Sequence, residues 1–286
     1  MSHKFNVVVV GVGAVGEEML KVLRQRRFPV GKLTVLARSA REIAVDGVKY
    51  AVKAAAPEEF AGAQFAFFAG TEGEKGAAGT FYPEAKKRGA VSIDNGADFR
   101  MDPAVPLVVP EVNPEDIAKH SGIIANPNCS TIQMVMALAP LHRAARIRRV
   151  IVATYQAVSG TGREAIKELK EQAPRYLAGE REFAPSAYPY RIAFNLIPLI
   201  GSFDRLDFTS EEWKMDRETK MILHDDSIEV SATTIRVPVF NVHSEAVYLE
   251  TEQPLSVGAA RELLAAAGAA EPRGQEYIEL LRRRLL

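Results

Sequence analysis

A single cysteine stands among 286 residues, and its setting gives it chemical interest. Cys129 lies in Ile124-Ala125-Asn126-Pro127-Asn128-Cys129-Ser130-Thr131, after a short apolar run and ahead of a long apolar pattern. Asn126-Pro127 ends a strand without starting a helix, because proline has no N–H and biases its predecessor away from the α region. Ile132, Met136, Leu138 and Leu141 then predict a helix from Thr131. Cys129 therefore falls at a strand-to-helix elbow, where free amides and the positive end of the helix dipole favour a thiolate over a thiol. A lone cysteine is more often a small buried hydrophobe, but that reading gives no account of the elbow.

A second motif, Gly11-Val12-Gly13-Ala14-Val15-Gly16, follows the apolar run Val7 to Val10 and precedes a helical pattern at residues 17–23. In the order strand, turn, helix, this spacing points to dinucleotide binding, with a glycine-rich turn that holds no ligand as the alternative. Gly11 makes the tight turn, Gly13 admits the pyrophosphate and Gly16 lets helix and strand pack closely. The next predicted strand, residues 32–37, ends in Arg38-Ser39, where an NAD-specific site often has an acidic residue for the ribose 2′-hydroxyl. A cation and a hydroxyl suit a 2′-phosphate, so NADP is favoured over NAD, with a solvated arginine as the alternative.

Other candidates are scattered along the chain. His243 sits at a polar turn between predicted strands and titrates near neutrality, making it the best general acid or base. His3 is terminal, His120 and His142 lie at helix ends, and His224 is in an acidic turn. Arg236, inside an apolar strand, needs an anionic partner, whether from substrate or protein. Arg100, in a polar loop at a strand's carboxyl end, can clamp a phosphate or pair with Asp98 or Asp102. Gln156 ends a strand beside the Ser159-Gly160 turn, and Glu211 and Lys214 share one face of a helix that Thr209 or Ser210 can cap.

These residues need elements to hold them. Strands at 65–69, 90–94 and 122–125 alternate with helices at 81–88 and an exposed helix at 114–119, a rhythm that predicts a doubly wound α/β sheet. Beyond it come a strand at 149–155, a helix at 163–172 and an aperiodic excursion at 183–207. Strands at 227–233, 235–239 and 246–250 and a helix at 256–267 complete the reading. Lys+Arg and Asp+Glu each number 36, so charge gives no argument for nucleic acid or a membrane surface. One cysteine excludes an intrachain disulfide framework and a cysteine-based zinc site, no metal is expected, and no run reaches transmembrane length. A soluble, cytoplasmic, two-domain protein is expected.

With these residues in hand, the chain resembles the aspartate-semialdehyde dehydrogenases from residue 5 to about residue 265. The resemblance rests on Asn126-Pro127-Asn128-Cys129-Ser130-Thr131, on Thr154-Tyr155-Gln156-Ala157-Val158-Ser159-Gly160, and on Arg236-Val237-Pro238-Val239 with His243-Ser244-Glu245. It implies a Rossmann-like NADP-binding domain at 1–127 and a glyceraldehyde-3-phosphate-dehydrogenase-like α+β domain at 128–255 for catalysis and homodimer formation. It also implies the NADP-dependent exchange of L-aspartate 4-semialdehyde and phosphate with 4-phospho-L-aspartate. By this likeness Cys129 forms a thioester, His243 moves the proton, and helix-start amides with Asn128 hold the oxyanion. Gln156 orients substrate, Arg236 binds its α-carboxylate and Glu211 its α-ammonium, and Lys214 and Arg100 hold phosphate. Ser159 and Gly160 approach the nicotinamide, while Gly11, Gly13, Ala14, Val15, Gly16, Arg38 and Ser39 hold the rest of the cofactor.

The chain departs from the family in three places. Its glycine turn is one residue shorter, and Asn95-Gly96-Ala97-Asp98 replaces the usual Asn-Ser-Ser-Ala. Family members usually run several tens of residues further, so residues 256–286 are read as a shortened helical segment. There the stripe Tyr277, Ile278, Leu281 and Leu285 is expected to substitute in part for a closing helix, the alternative being a replaced tail that leaves apolar surface open. Two alternatives follow: an N-acetyl-γ-glutamyl-phosphate reductase, whose substrate lacks the α-ammonium, or a non-catalytic dinucleotide-binding relative.

Overall fold

A computed structural model of the chain describes residues 4–70 and 76–268. In chain order it begins β1 (Phe5–Val10), α1 (Ala14–Gln25), β2 (Val30–Ala37), β3 (Arg41–Val45), β4 (Val48–Ala54), β5 (Phe65–Phe68), α2 (Ala77–Lys87), β6 (Val91–Asp94) and β7 (Ile123–Ala125). It continues α3 (Cys129–Ala145), β8 (Ile147–Gln156), α4 (Arg163–Leu177), α5 (Ser210–Leu223), β9 (Glu229–Arg236), β10 (Ser244–Thr251) and α6 (Val257–Gly268). The chain divides into two compact units. The first takes the described chain up to Asn128, then Ala157–Leu196 and Val237–Val242; the second takes Cys129–Gln156, Ile197–Arg236 and the described chain from His243.

The first unit holds a seven-stranded sheet in the order β3-β4-β2-β1-β5-β6-β7. Its pairings are parallel except for the β3–β4 hairpin. Val7 to Val10 are buried, as a strand covered on both faces requires. One layer of core joins Val8, Val10, Leu36, Phe60 and Phe68, and another joins Val7, Val9, Leu20, Val35 and Val52. The hairpin is an addition to the sequence reading. Asp46 and Gly47 both have positive φ, 48° and 75°, which fits the Asp-Gly turn that links twisted strands.

The excursion at 183–207 has no regular helix or strand, but its first part is pinned to α4. Buried Gln172 accepts hydrogen bonds from the Ile192 and Ala193 amides (3.0 and 3.2 Å). It donates to Glu168 (2.8 Å), whose other oxygen accepts from the Ala187 amide at 2.8 Å.

The second unit holds a three-stranded sheet, β10-β8-β9, in which β9 runs parallel and β10 antiparallel to β8. One face packs Val150, Val152 and Ala232 against Met134 and Leu138 of α3 and Met215 of α5, with Leu263 and Leu264 of α6 alongside. The other face carries Ile151, Tyr155 and Tyr248, which are 49, 40 and 59% exposed. The two strands expected at 227–233 and 235–239 are one, β9. Its register with β8 runs unbroken from Arg149↔Glu229 to Gln156↔Arg236, and it ends ahead of Pro238, which has no N–H to continue a ladder. The helix expected at 114–119 is a 3-10 helix, Pro114–Lys119, whose Asp116 is buried. The stripe from Tyr277 to Leu285 lies outside the described residues. No helix among the described residues is long and apolar enough to cross a membrane.

Candidate active site

The predicted elbow forms, with the helix starting two residues earlier than its apolar pattern indicated: Cys129 is the first residue of α3. The cysteine is exposed, which overturns its reading as a buried hydrophobe. Its Sγ lies 3.3 Å from Nε2 of His243. His243 sits between two different backbone regimes. Val242 ahead of it has φ 71°, a left-handed conformation unusual for a β-branched residue, and β10 begins immediately after it with Ser244 paired to Tyr155. Burial pushes the imidazole pKa down, the Arg236 cation pushes it further, and the Glu211 carboxylate opposes them. A neutral imidazole in hydrogen-bond range of a thiol can take its proton.

The same unit gathers four more candidates. Gln156 and Arg236 are cross-strand partners at the ends of β8 and β9, and both are buried. The Gln156 amide donates to Oε1 of Glu211 (3.1 Å) and lies 3.4 Å from the Thr154 hydroxyl. Glu211 is 6% exposed, so its 3.6 Å pairing with Lys214 is not a solvated surface bridge. Helix α5, which carries both, is fixed by a complete capping box: the Thr209 hydroxyl accepts from the Glu212 amide and the Glu212 carboxylate from the Thr209 amide. The Thr-x-x-Glu signature of that box, Thr209 to Glu212, is present in the sequence.

The first unit assembles the dinucleotide candidates. A Cβ on Gly11 would lie 2.6 Å from the backbone of Ala69, and one on Gly16 would lie 2.0 Å from the Gly11 carbonyl oxygen; one on Gly13 would meet nothing within 4 Å. The turn is therefore tight on its protein side and open at Gly13. Gly13 caps α1 without a side-chain hydrogen bond, so the first amides of that helix suit a phosphate, and the residues present fit the cofactor. Arg38 and Ser39 are exposed after β2, and Arg41 donates to the Ser39 carbonyl and hydroxyl (3.2 and 3.4 Å).

Arg163, at the start of α4, donates to the Val12 carbonyl (3.4 Å) and pairs with Glu17. It anchors the turn Val158–Thr161, which carries Ser159 and Gly160, beside the glycine turn. Nothing in the sequence marked Arg163 for this. Arg100 is buried rather than a surface loop arginine; its guanidinium donates to the carbonyls of Asn126 (2.9 Å) and Asn95 (3.1 Å), whose side chains bond each other at 2.7 Å. Asn128 is buried as well. Cys129, His243, Gln156, Glu211, Lys214 and Arg236 thus belong to one unit, and the glycine turn, Arg38, Ser39, Arg100, Asn128, Ser159 and Gly160 to the other.

Comparison with known proteins finds two family models that match successive stretches of the chain. Residues 6–120 match the family description "Semialdehyde dehydrogenase, NAD binding domain", and residues 138–279 match "Semialdehyde dehydrogenase, dimerisation domain". The aspartate-semialdehyde dehydrogenase of Aquifex aeolicus is 47% identical over 285 residues, which cover 96% of this chain and 83% of that one. That of Bacillus subtilis is 48% identical over 265 residues, covering 88% and 75%. Among solved structures, aspartate semialdehyde dehydrogenase II from Vibrio cholerae superimposes with a TM-score of 0.87 at 42% identity, covering 92% of this chain and 79% of that one.

Proposed function

Because this chain belongs to the aspartate-semialdehyde dehydrogenase family, we propose that it converts 4-phospho-L-aspartate reversibly to L-aspartate 4-semialdehyde and phosphate. NADPH is the proposed reductant and the lysine, diaminopimelate, threonine, methionine and isoleucine routes the destination. The observation that carries the reading is the 3.3 Å approach of Cys129 Sγ to His243 Nε2 at a helix start. A solved Vibrio cholerae relative is described as complexed with ASA.

In the reductive direction the Cys129 thiolate attacks the acyl carbon and phosphate leaves, giving a thioester. Splitting one difficult substitution into two easier steps is the gain from a covalent intermediate. When bound, the dinucleotide supplies the hydride that this thioester accepts. The resulting hemithioacetal oxygen carries negative charge, held by the first amides of α3 with the Asn128 amide, a contact worth about 3 kcal/mol per donor. Collapse releases the aldehyde and the thiolate, with His243 returning the proton it held.

Arg236 pairs with the α-carboxylate, Glu211 receives the α-ammonium and Gln156 orients the substrate, while Lys214 and Arg100 hold phosphate. An N-acylated substrate has no ammonium for the buried Glu211, which disfavours a reductase of the N-acetyl-γ-glutamyl-phosphate kind. Ser159 and Gly160 serve the nicotinamide end, Gly11 to Gly16 the pyrophosphate, and Arg38 with Ser39 a 2′-phosphate; this last pairing supports NADP over NAD. Residues 1–127 act as the cofactor domain and 128–255 as the catalytic and dimerisation domain. A homodimer is supported by the exposed aromatic and aliphatic side chains on the open face of the three-stranded sheet.

The test is NADPH formation from L-aspartate 4-semialdehyde with and without phosphate, repeated for Cys129→Ser. Turnover that requires phosphate and vanishes in the variant is expected. Phosphate-independent turnover, or turnover retained by the variant, refutes the reading.

A further inference from the structure

We infer that Glu245 and Gln133 form a positioning pair that seats His243 against Cys129. Glu245 lies two residues beyond His243 in an extended segment, and Gln133 lies four residues beyond Cys129, one turn along α3. Two extended residues advance about 6.6 Å and four helical residues about 6 Å, so the two segments keep step. The first rung is the sulfur–imidazole contact at 3.3 Å. The second is a hydrogen bond from the Gln133 side chain to the Glu245 carboxylate.

A brace is needed at this place. The backbone ladder of β10 begins only at Ser244, and the residue before His243, Val242, holds a left-handed φ of 71°. A β-branched residue persists there only when its surroundings over-determine the turn. Glu245 pairs with Thr154 across the β10–β8 ladder and reaches α3 through Gln133. It does so at a cost, since its Oε1 is buried and meets no hydrogen-bond donor among the described residues. Burial also pushes the carboxyl up to about 7 against the Gln133 hydrogen bond. An apolar side chain would fill the position without that cost, which points to the rung itself as the reason for a carboxyl.

The inference rests on Cys129 and His243 acting together, as proposed above, but its test does not depend on the substrate. The rate of Cys129 alkylation by iodoacetamide is followed against pH in the full chain, with His243→Ala as the reference for a thiol without its imidazole. Glu245→Ala and Gln133→Ala are each expected to move the profile toward that reference and to lower kcat by ~10–100-fold, with KM for the aldehyde within about twofold. Glu245→Gln, which can still accept from Gln133, keeps the wild-type profile. A merely structural role would lower the melting temperature and leave the alkylation profile of the folded protein unchanged. Gln133→Ala keeps a strong helix former on α3, so it reads the rung even if the strand variant folds poorly. Wild-type alkylation profiles in Glu245→Ala or in Gln133→Ala overturn the inference. Absence of phosphate-dependent turnover in the unmodified protein instead strikes at the proposed function, and the two failures are distinguishable.

Discussion

Replacing Gly13 by alanine separates cofactor binding from folding in a way the geometry makes quantitative. The added Cβ meets nothing within 4 Å, and the backbone there, φ −75° and ψ −166°, is one that alanine adopts freely. The folded chain should therefore change stability by no more than ~0.5 kcal/mol, or about 1–2 °C in melting temperature. The open space beside Gly13 is, however, where we propose that the pyrophosphate approaches the first amides of α1. A methyl group there removes at least one hydrogen bond to a charged group, about 1.5–3 kcal/mol, which is roughly 10–100-fold in Kd. Gly16→Ala is the control with the opposite pattern. Its Cβ would sit 2.0 Å from the Gly11 carbonyl oxygen, so strand and helix must separate before anything binds, at ~1–3 kcal/mol or more. NADPH fluorescence titration and thermal melting of both variants read the two quantities side by side. A Gly13→Ala protein that binds NADPH as tightly as the unmodified chain refutes the placement of the pyrophosphate.

Three further outcomes are expected. Burial and Arg236 lower the His243 pKa, so the imidazole stays neutral to more acid pH. The acid limb of kcat/KM for aldehyde oxidation then falls below about 6.5, the ordinary histidine value, and His243→Gln abolishes the limb while cutting kcat by ~10²–10⁴; a limb above that value contradicts the assignment. His142, whose Nδ1 accepts from the Ile147 amide at the end of α3, is likewise lowered by burial. The unfolded chain binds that proton more tightly, so stability is full above about 6.5 and declines as pH falls toward the folded value. Melting of His142→Gln should be flatter across this window, and an unchanged slope counts against the effect. Arg38→Ala should weaken NADPH binding about tenfold while leaving NADH almost unaffected; equal losses for both would remove Arg38 from the 2′-phosphate site.

Much of the molecule was legible because its signals are local. The valine run, the glycine spacing and the Asn-Pro break each act within a few residues of themselves, so β1, the dinucleotide turn and the elbow at Cys129 follow from chain stereochemistry. The Asp46-Gly47 hairpin and the Thr209–Glu212 capping box were written just as locally. The break expected near residue 234 was different: whether Thr234 ends a strand is decided by the uninterrupted ladder with β8, which no local pattern records. Likewise no sequence spacing brings His243 to 3.3 Å from Cys129 across 114 positions, nor Gln156 to Glu211 across 55. The residue types gave the chemistry, since thiol, imidazole and guanidinium carry their reactivity with them. Only the packing of α3 and α5 on one sheet decided which of them meet and how burial shifts the protons they exchange, because contact and desolvation are properties of the folded chain.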